Sequence, residues 1–416
     1  MARILVTMLP VNDLGLPTRM LPIARALADR GHDVGVFNPA PAPMSLIAET
    51  GLTGLEMPSA PTQAPGWDIG LANSAWDVDE MFAGLYANEE FLREMTAIHL
   101  QLLREYAPDM VVDSFNLTAC LAARILKTPL VTVNQGNFHP ASPGFKWWEK
   151  ERPAGLPSEV GGLNKVAAEH GAGPFGRCVE LMAGDLSLIV GTPETDPVAD
   201  ATVRYVGPIV WQRGNAALPE WVDELGREKP LVWVYAGNPQ YDGAGKARNP
   251  FDSIVVIRAA IAALKDAPVN VVLTMGHQEL PEEIGALPGN FYRAAYLPGM
   301  AMAQRCDLMV HHGGHSSVMT GLMAGKPAVM IPTATERESN ARRLAALGAG
   351  EVVLPVKGSD GEKQIDVPEF STKVNRVLTD SSYRNAAMHV ADSMRRYGGA
   401  QAAAEHIERF AAGIAH

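Results

Sequence analysis

Short apolar runs alternate with helical patterns along this chain, and that alternation restricts its fold more than any other feature. The first unit reads ILVTML, then LPIARALADRGH, then DVGVF. Gly31 is expected to end the helix in this unit. The apolar stripe of that helix comprises Leu21, Ala24, Leu27 and Ala28. A strand, a helix and a second strand in so few residues require a right-handed parallel crossover.

The apolar runs fall into two series. After the first unit, further strands are predicted at 110–113, 130–134 and 186–191. The second series is predicted at 231–237, 269–276, 307–314, 328–332 and 350–355. Near-continuous Val/Ile/Leu runs that alternate with helices indicate parallel sheets covered on both faces.

The boundary between the two series is the segment YVGPIVWQRGNAALPEW, which has the Gly, Pro and polar residues of a linker. We therefore predict an α/β protein with two doubly wound, Rossmann-like domains that face each other across a cleft. The predicted domains are residues 1–212 and 213–416.

Composition and charge exclude several classes of function. The formal net charge is -11 and no basic run exceeds a pair, which argues against nucleic acid or an anionic membrane as partner. No apolar stretch approaches the roughly 20 residues that span a bilayer. The three cysteines are far apart, lack metal-ligand spacing and are expected to be reduced core thiols. We expect a cytoplasmic protein without stable membrane insertion.

The segment HHGGHSSVMTG lies where a predicted strand ends and a predicted helix begins, the place where open α/β sheets bind ligands. Gly313 and Gly314 let the backbone approach a ligand closely. Ser316 and Ser317 can cap the helix, whose N–H groups attract anions. His312 adds a donor for a phosphate oxygen. The combination favours a diphosphate, although Gly and Ser also serve as ordinary turn residues.

The sequence around this segment resembles the donor-binding signature of the family 1 glycosyltransferases, which use nucleotide-sugars and have the two-Rossmann GT-B fold. The resemblance is carried by YLPGMAMAQRCDLMVHHGGHSSVMTGLMAGKPAVMIPTATERESNARRLAALGAG, and also by LPIARALADRGHDV, YVGP and GGAQAAAEHIE. It is closest to bacterial enzymes that glycosylate natural products. It implies a nucleotide-sugar co-substrate, no other cofactor, and a C-terminal helix that packs back on the N-terminal domain.

Carried over by position, the resemblance assigns Tyr296 to stacking on the nucleobase and the backbone at Leu297 to reading the base edge. The residues it assigns to the phosphates are Gly237, Asn238, His312, Gly313, Gly314, Ser316 and Ser317.

Two further positions bear on the donor. Glu336 and Arg337 fall where the family has an Asp/Glu–Gln pair on the sugar hydroxyls, or else they form a solvated loop pair. Arg337 departs from the family Gln, which leaves the donor sugar open. Thr320 occupies a position that is commonly Glu in members that use uridine nucleotides. A buried carboxylate without a ribose 2′-hydroxyl to accept from would be costly, so Thr320 favours a dTDP-sugar over a UDP-sugar.

The residue that deprotonates the acceptor departs from the family pattern. Inverting members usually use the His of a Gly-His turn after the first strand, oriented by an Asp from a later strand. Asp113 in MVVDSF matches that Asp. The Gly-His position reads Gly-Leu at 15–16 in one alignment and Asp-Leu at 13–14 in another, so neither recovers a histidine.

Three interpretations of this departure remain open. Asp13 acts directly as the base if burial raises its pKa, although Asn-Asp before Leu-Gly is also an ordinary turn. His139, in NFHP, reaches in from a neighbouring acceptor-side loop. In the third interpretation, the acceptor needs little base assistance, or the protein is a non-catalytic relative.

An acceptor site is expected in the irregular N-terminal segments, where His139, Trp147 and Trp148 lie. Metal dependence is not expected: the DVD stretch at 77–79 is interpreted as a loop that enters a helix, and helix N-termini with His312 would neutralise a diphosphate.

The sequence thus predicts a metal-independent inverting glycosyltransferase that acts on a small natural product. A homodimer is one assembly that this prediction allows. The alternative is a catalytically silent nucleotide-sugar-binding relative that assists another enzyme. A sugar-nucleotide epimerase of the same fold is a third hypothesis. The resemblance of ERESNARRLAALGAG to the glycosyltransferase signature argues against it.

Overall fold

The structure is a computed structural model that describes residues 1–146, 151–212, 217–237, 253–275 and 279–414. The backbone forms two compact units. The first comprises Met1–Ile209 with Arg396–His416, and the second comprises Val210–Arg395. Each unit contains a parallel sheet whose strands are joined through helices, which confirms the predicted pair of Rossmann-like domains.

The first unit is built on seven parallel strands. They are β1 (Arg3–Met8), β2 (Asp33–Phe37), β3 (Thr53–Gly54), β4 (Met110–Ser114), β5 (Leu130–Asn134), β6 (Leu186–Ile189) and β7 (Arg204–Tyr205). Their order in the sheet is β3-β2-β1-β4-β5-β6-β7. β4 and β5 are buried at every residue, as expected of apolar runs covered on both faces. The register sets Thr7 of β1 beside Asp113 of β4.

Seven helices connect these strands. They are α1 (Pro17–Asp29), α2 (Pro41–Glu49), α3 (Ile69–Ser74), α4 (Val78–Leu85), α5 (Glu89–Tyr106), α6 (Leu117–Leu126) and α7 (Val160–Glu169). The DVD stretch enters α4 as predicted, because the Asp77 carboxylate accepts from the Glu80 backbone N–H and caps the helix. Asp79 accepts instead from Ser158 and the Val179 backbone.

The second unit is built on six parallel strands and a small antiparallel pair. The six are β8 (Leu231–Tyr235), β9 (Asn270–Thr274), β10 (Phe291–Ala294), β11 (Leu308–His311), β12 (Ala328–Met330) and β13 (Gly350–Val352). Their order is β10-β9-β8-β11-β12-β13. β14 (Val356–Lys357) and β15 (Lys363–Gln364) form the pair. β8 and β11 are neighbours, so their carboxyl ends lie side by side.

The helices of the second unit follow its strands. They are α8 (Glu220–Glu224), α9 (Ile254–Leu264), α10 (Gly299–Arg305), α11 (His315–Met323), α12 (Thr335–Ala346), α13 (Val367–Thr379) and α14 (Ser381–Met394). Valine, isoleucine and leucine side chains of the strands pack against α9 and α13 on one face of the sheet. Two helices, α11 and α12, begin at the carboxyl edge of β11 and β12, where the candidate site lies.

The C-terminal helix α15 (Gly399–Ile414) belongs to the first unit and packs against α1. Its Ile407 is fully buried, and its Glu408 accepts from Arg30 at 2.7 Å and contacts His32 Nε2 at 3.1 Å. The expectation that this helix returns to the N-terminal domain is confirmed.

The three cysteines are buried free thiols, as predicted. Across the described ranges, no group of three or more His, Cys, Asp or Glu side chains is arranged to hold a metal ion. No helix in the described part of the chain is both long and apolar enough to cross a membrane.

Candidate functional site

The turn between β11 and α11 requires both of its glycines. Gly313 has φ +82°, in the left-handed region, and a Cβ there would lie 2.6 Å from the Arg337 carbonyl oxygen. A Cβ on Gly314 would lie 2.6 Å from His312 Nε2. Gly314 is the N-cap of α11 and provides no side-chain cap. No side chain therefore closes the first turn of α11, whose N–H groups can attract an anion.

His312 lies against a third glycine at the end of the neighbouring strand. A Cβ on Gly237 would lie 3.0 Å from His312 Cε1. We call Gly237, His312, Gly313 and Gly314 the cradle. Because three of its members lack a side chain, a ligand can approach the backbone of β8 and β11 at the same place.

Burial keeps the His312 imidazole neutral. It lowers the pKa of His312 well below the usual range, and the charges of Arg337 and His311 lower it further, while the Tyr235 backbone opposes the shift. Nδ1 of His312 is buried and makes no hydrogen bond of ordinary geometry within the described residues. A neutral imidazole has one N–H group, which can be donated to a ligand oxygen when the proton lies on Nδ1.

The serines after the cradle do not cap α11, contrary to the sequence-based expectation. The helix begins at His315, so Ser316 and Ser317 lie inside its first turn, where the Ser317 backbone N–H donates to the Gly314 carbonyl at 3.0 Å. Thr320 is buried one turn later and its hydroxyl donates to the Ser316 carbonyl at 2.8 Å. This stretch therefore presents hydroxyl groups and no carboxylate.

Glu336 and Arg337 lie in the first turn of α12 and not in a solvated loop. Glu336 accepts from Asn340 Nδ2 at 2.7 Å, and the same nitrogen donates to the Gly313 carbonyl at 3.1 Å. Arg337 donates through one terminal nitrogen to Thr333 Oγ1 and, at 3.3 Å, to Ser253 Oγ. These contacts attach the start of α12 to the cradle.

Tyr296 and Leu297 follow β10 at the same edge of the sheet. The Tyr296 side chain is 50% exposed, so its ring is accessible to a flat ligand. Leu297 is buried in the core beside Trp233, which leaves only its backbone for contact with a ligand. Asn238, Trp147 and Trp148 lie outside the described residues.

In the first unit, Asp13 is exposed in the loop between β1 and α1. Its Oδ1 accepts from the Gly15 backbone N–H at 2.7 Å, which closes an ordinary Asx turn. The burial that the sequence analysis invoked for Asp13 does not occur. Its Oδ2 makes no hydrogen bond to any described residue.

Asp113 lies at the end of β4 and is fully buried. Its carboxylate accepts from Thr7 Oγ1 at 2.6 Å, the Asn116 backbone at 3.0 Å and the Cys120 thiol at 3.2 Å. Burial raises the pKa of Asp113 to about 7. Its hydrogen-bond partners among the described residues include no imidazole. In this chain Asp113 therefore holds the strand end and the turn to α6 together.

A buried histidine that was not predicted from the sequence lies near this position. His99 of α5 contacts Asn116 Nδ2 through Nε2 at 3.1 Å, and Nδ1 contacts the Met95 carbonyl at 2.8 Å. Asn116 in turn donates to the Met8 carbonyl. Burial lowers the pKa of His99 to about 4, so the ring is neutral and structural. A lone histidine on the apolar face of α5 gave no pattern that could have revealed this contact.

His139 is buried just beyond β5, and its protonation is set by the backbone. Nδ1 accepts from the Ala141 N–H at 3.2 Å, so the proton of the neutral ring lies on Nε2, which is 3.9 Å from Asp200 Oδ2. Burial lowers the pKa of His139. The ring also lines a cavity of about 70 Å³ with Trp76, Lys146, Arg152 and Arg177. In this arrangement Nε2 of His139 carries the ring proton, makes no hydrogen bond to a described residue and cannot accept a second proton.

Sequence relatives of the chain are sugar-transferring enzymes. Residues 258–409 match the family described as erythromycin biosynthesis protein CIII-like, C-terminal domain. A PGL/p-HBAD biosynthesis rhamnosyltransferase of Mycobacterium bovis (strain BCG / Pasteur 1173P2) is 26% identical over 328 residues, 73% of this chain and 68% of the relative. The demethyllactenocin mycarosyltransferase of Streptomyces fradiae is 32% identical over 180 residues, 43% of this chain and 35% of the relative.

Solved structures share the fold over almost the whole length. Glycosyltransferase VinC in complex with dTDP matches with a TM-score of 0.70 at 20% identity, over 98% of this chain and 99% of that one. Spinosyn rhamnosyltransferase SpnG matches with a TM-score of 0.68 at 21% identity, over 98% and 100%. The chain is a glycosyltransferase with the GT-B fold, and it is similar to the family 1 enzymes of natural-product biosynthesis.

Proposed function

We propose that this enzyme transfers a sugar from a dTDP-sugar to a small natural-product acceptor, with inversion at the anomeric carbon. The second unit, Val210–Arg395, binds the donor, and the first unit binds the acceptor. The observation that carries the proposal is the cradle, where a neutral imidazole and an uncapped helix start meet side-chain-free backbone. These groups match a diphosphate, which needs N–H donors and room close to the backbone.

Replacing His312 with alanine is expected to weaken dTDP binding by about 1–3 kcal/mol, because one hydrogen bond to a charged oxygen is lost. Isothermal titration of both proteins with dTDP measures the change. His389→Ala is the matched control, since His389 is an exposed histidine of the same unit. An unchanged dissociation constant in folded His312→Ala protein would remove His312 from the site.

The choice of thymidine over uridine rests on Thr320. Its hydroxyl is already bonded to the Ser316 carbonyl, and no carboxylate stands at this position to accept from a ribose 2′-hydroxyl. A 2′-deoxyribose would leave no hydroxyl group unpaired there. A ribose would bury its 2′-hydroxyl without a strong acceptor. The structural relative VinC, solved with dTDP, supports the same choice.

If Thr320 marks a 2′-deoxy donor, dTDP is expected to bind at least as tightly as UDP. Thr320→Glu should then shift the preference towards UDP by about tenfold, the value of one hydrogen bond to a charged group. Competition titrations with the two nucleotides give the ratio directly, and Thr320→Gln controls for side-chain size. A clear preference of the wild-type enzyme for UDP would overturn this assignment.

Inversion requires one direct displacement at the anomeric carbon. The acceptor oxygen forms the new bond as the old C–O bond breaks, and the electron pair of that bond leaves with the diphosphate. The acceptor proton passes to a base, for which we propose Asp13, because Asp13 Oδ2 has no protein donor within the described residues. His139 is better suited to donate a hydrogen bond to the acceptor, since its Nε2 carries the ring proton.

A further inference from the structure

Arg337 occupies a helix position at which a positive charge is unfavourable. It lies in the first turn of α12, where the helix dipole repels a positive charge. Hydrogen bonds from one terminal nitrogen to Thr333 Oγ1 and Ser253 Oγ fix the guanidinium nonetheless. The fold thus holds a cation where local helix energetics favour an anion.

The backbone of Arg337 is in direct contact with the cradle. A Cβ on Gly313 would lie 2.6 Å from the Arg337 carbonyl oxygen and 3.4 Å from its Cβ. Asn340, one turn later on α12, donates to the Gly313 carbonyl at 3.1 Å. The start of α12 and the turn before α11 therefore form one rigid unit.

None of the four cradle residues carries a permanent charge, because three are glycines and His312 is neutral. His312 is buried and the charge of Arg337 helps to lower its pKa, so the guanidinium is close enough to act on the imidazole. Arginine remains charged under all ordinary conditions. Arg337 therefore places a positive charge beside the cradle.

We propose that Arg337 binds the terminal phosphate of the nucleoside diphosphate. In the family that the sequence resembles, the residue at this position contacts the sugar hydroxyls instead. The inference rests on the proposed donor site. A guanidinium matches two phosphate oxygens at once, whereas neutral hydroxyls gain little from a full charge. The sugar is attached to the terminal phosphate, so a side chain beside one is beside the other. The negative charge on this phosphate grows as the sugar leaves.

Titration with dTDP and with dTMP separates the two roles. Arg337→Gln, which restores the amide of the family pattern, is expected to weaken dTDP binding about tenfold to a hundredfold. It should leave dTMP binding within about twofold, because dTMP lacks the terminal phosphate. Arg337→Lys should recover part of the loss as a point charge. Arg342→Gln is the matched control, since Arg342 pairs with Glu338 on the same helix at 2.9 Å.

Three other results would contradict the inference. Unchanged dTDP affinity in Arg337→Gln, with weaker binding only of dTDP-rhamnose, would return Arg337 to the sugar hydroxyls. An equal loss for dTDP and dTMP would place its action on the inner phosphate. An unchanged affinity for all three ligands would remove Arg337 from the donor site. Failure of the wild-type enzyme to bind dTDP would instead contradict the proposed function.

Discussion

Asp13→Asn is expected to lower turnover by about two to four orders of magnitude, the usual contribution of a positioned base, with dTDP affinity nearly unchanged. The variant is well matched, because an asparagine Oδ1 can still accept from the Gly15 N–H and keep the turn. Only the proton acceptor is lost. The measurement is the release of dTDP from the donor in the presence of an acceptor that the wild-type enzyme uses.

Two further variants make this result interpretable. Asp366→Asn is the control, because Asp366 is also exposed and also accepts from a backbone N–H, that of Glu369 at 2.8 Å. His139→Ala tests the competing base. If Asp13→Asn keeps most of its activity while His139→Ala loses it, the base comes from the loop after β5 and the proposed role of Asp13 is wrong.

Asp113→Ala is expected to lower the free energy of unfolding by about 2–4 kcal/mol, because it leaves buried donors without an acceptor. These donors are the Thr7 hydroxyl, the Asn116 N–H and the Cys120 thiol. Asp113→Asn should cost less in stability, and less in turnover than Asp13→Asn, since Asp113 has no imidazole to orient. Urea unfolding gives the free energies. A stable Asp113→Ala protein with strongly reduced turnover would assign Asp113 to the chemistry.

The difference in stability between the wild-type enzyme and Asp113→Asn is expected to depend on pH with a defined sign. Burial raises the pKa of Asp113 to about 7 in the folded state, against about 3.9 in the unfolded chain. The protonated carboxyl therefore contributes stability that is fully present below about pH 4 and is lost as the pH rises through about 7. Relative to Asp113→Asn, the wild-type enzyme should lose at most about 1.4 kcal/mol per pH unit in this window. A flat difference between pH 4 and 8 would contradict the raised pKa.

The periodicity of the sequence was enough to predict the sheets. LVWVY and LMVH became β8 and β11 because uninterrupted apolar runs bury both faces of a strand between helices. The glycine pair after β11 was equally readable, since a tight turn at a strand end favours glycine, and Gly313 has the left-handed φ of +82°. Both features depend on neighbours in the chain, and a linear pattern records such neighbours.

Contacts between distant residues depended on packing. Ser316 and Ser317 looked like caps, but the helix begins at His315, and Gly314 takes the N-cap position. The ring proton of His139 follows from the Ala141 N–H in a turn whose geometry no spacing rule gives.

The sequence by itself determined the two-domain α/β fold and the place of the cradle, because both follow from local periodicity and turn chemistry. Only the tertiary structure decided that Asp13 is exposed while Asp113 is buried among three donors. It also decided that Arg337 donates hydrogen bonds to Thr333 and Ser253. The physical reason is that burial and charge at a side chain depend on residues far away in the chain. Those residues meet only when the sheet and its helices pack.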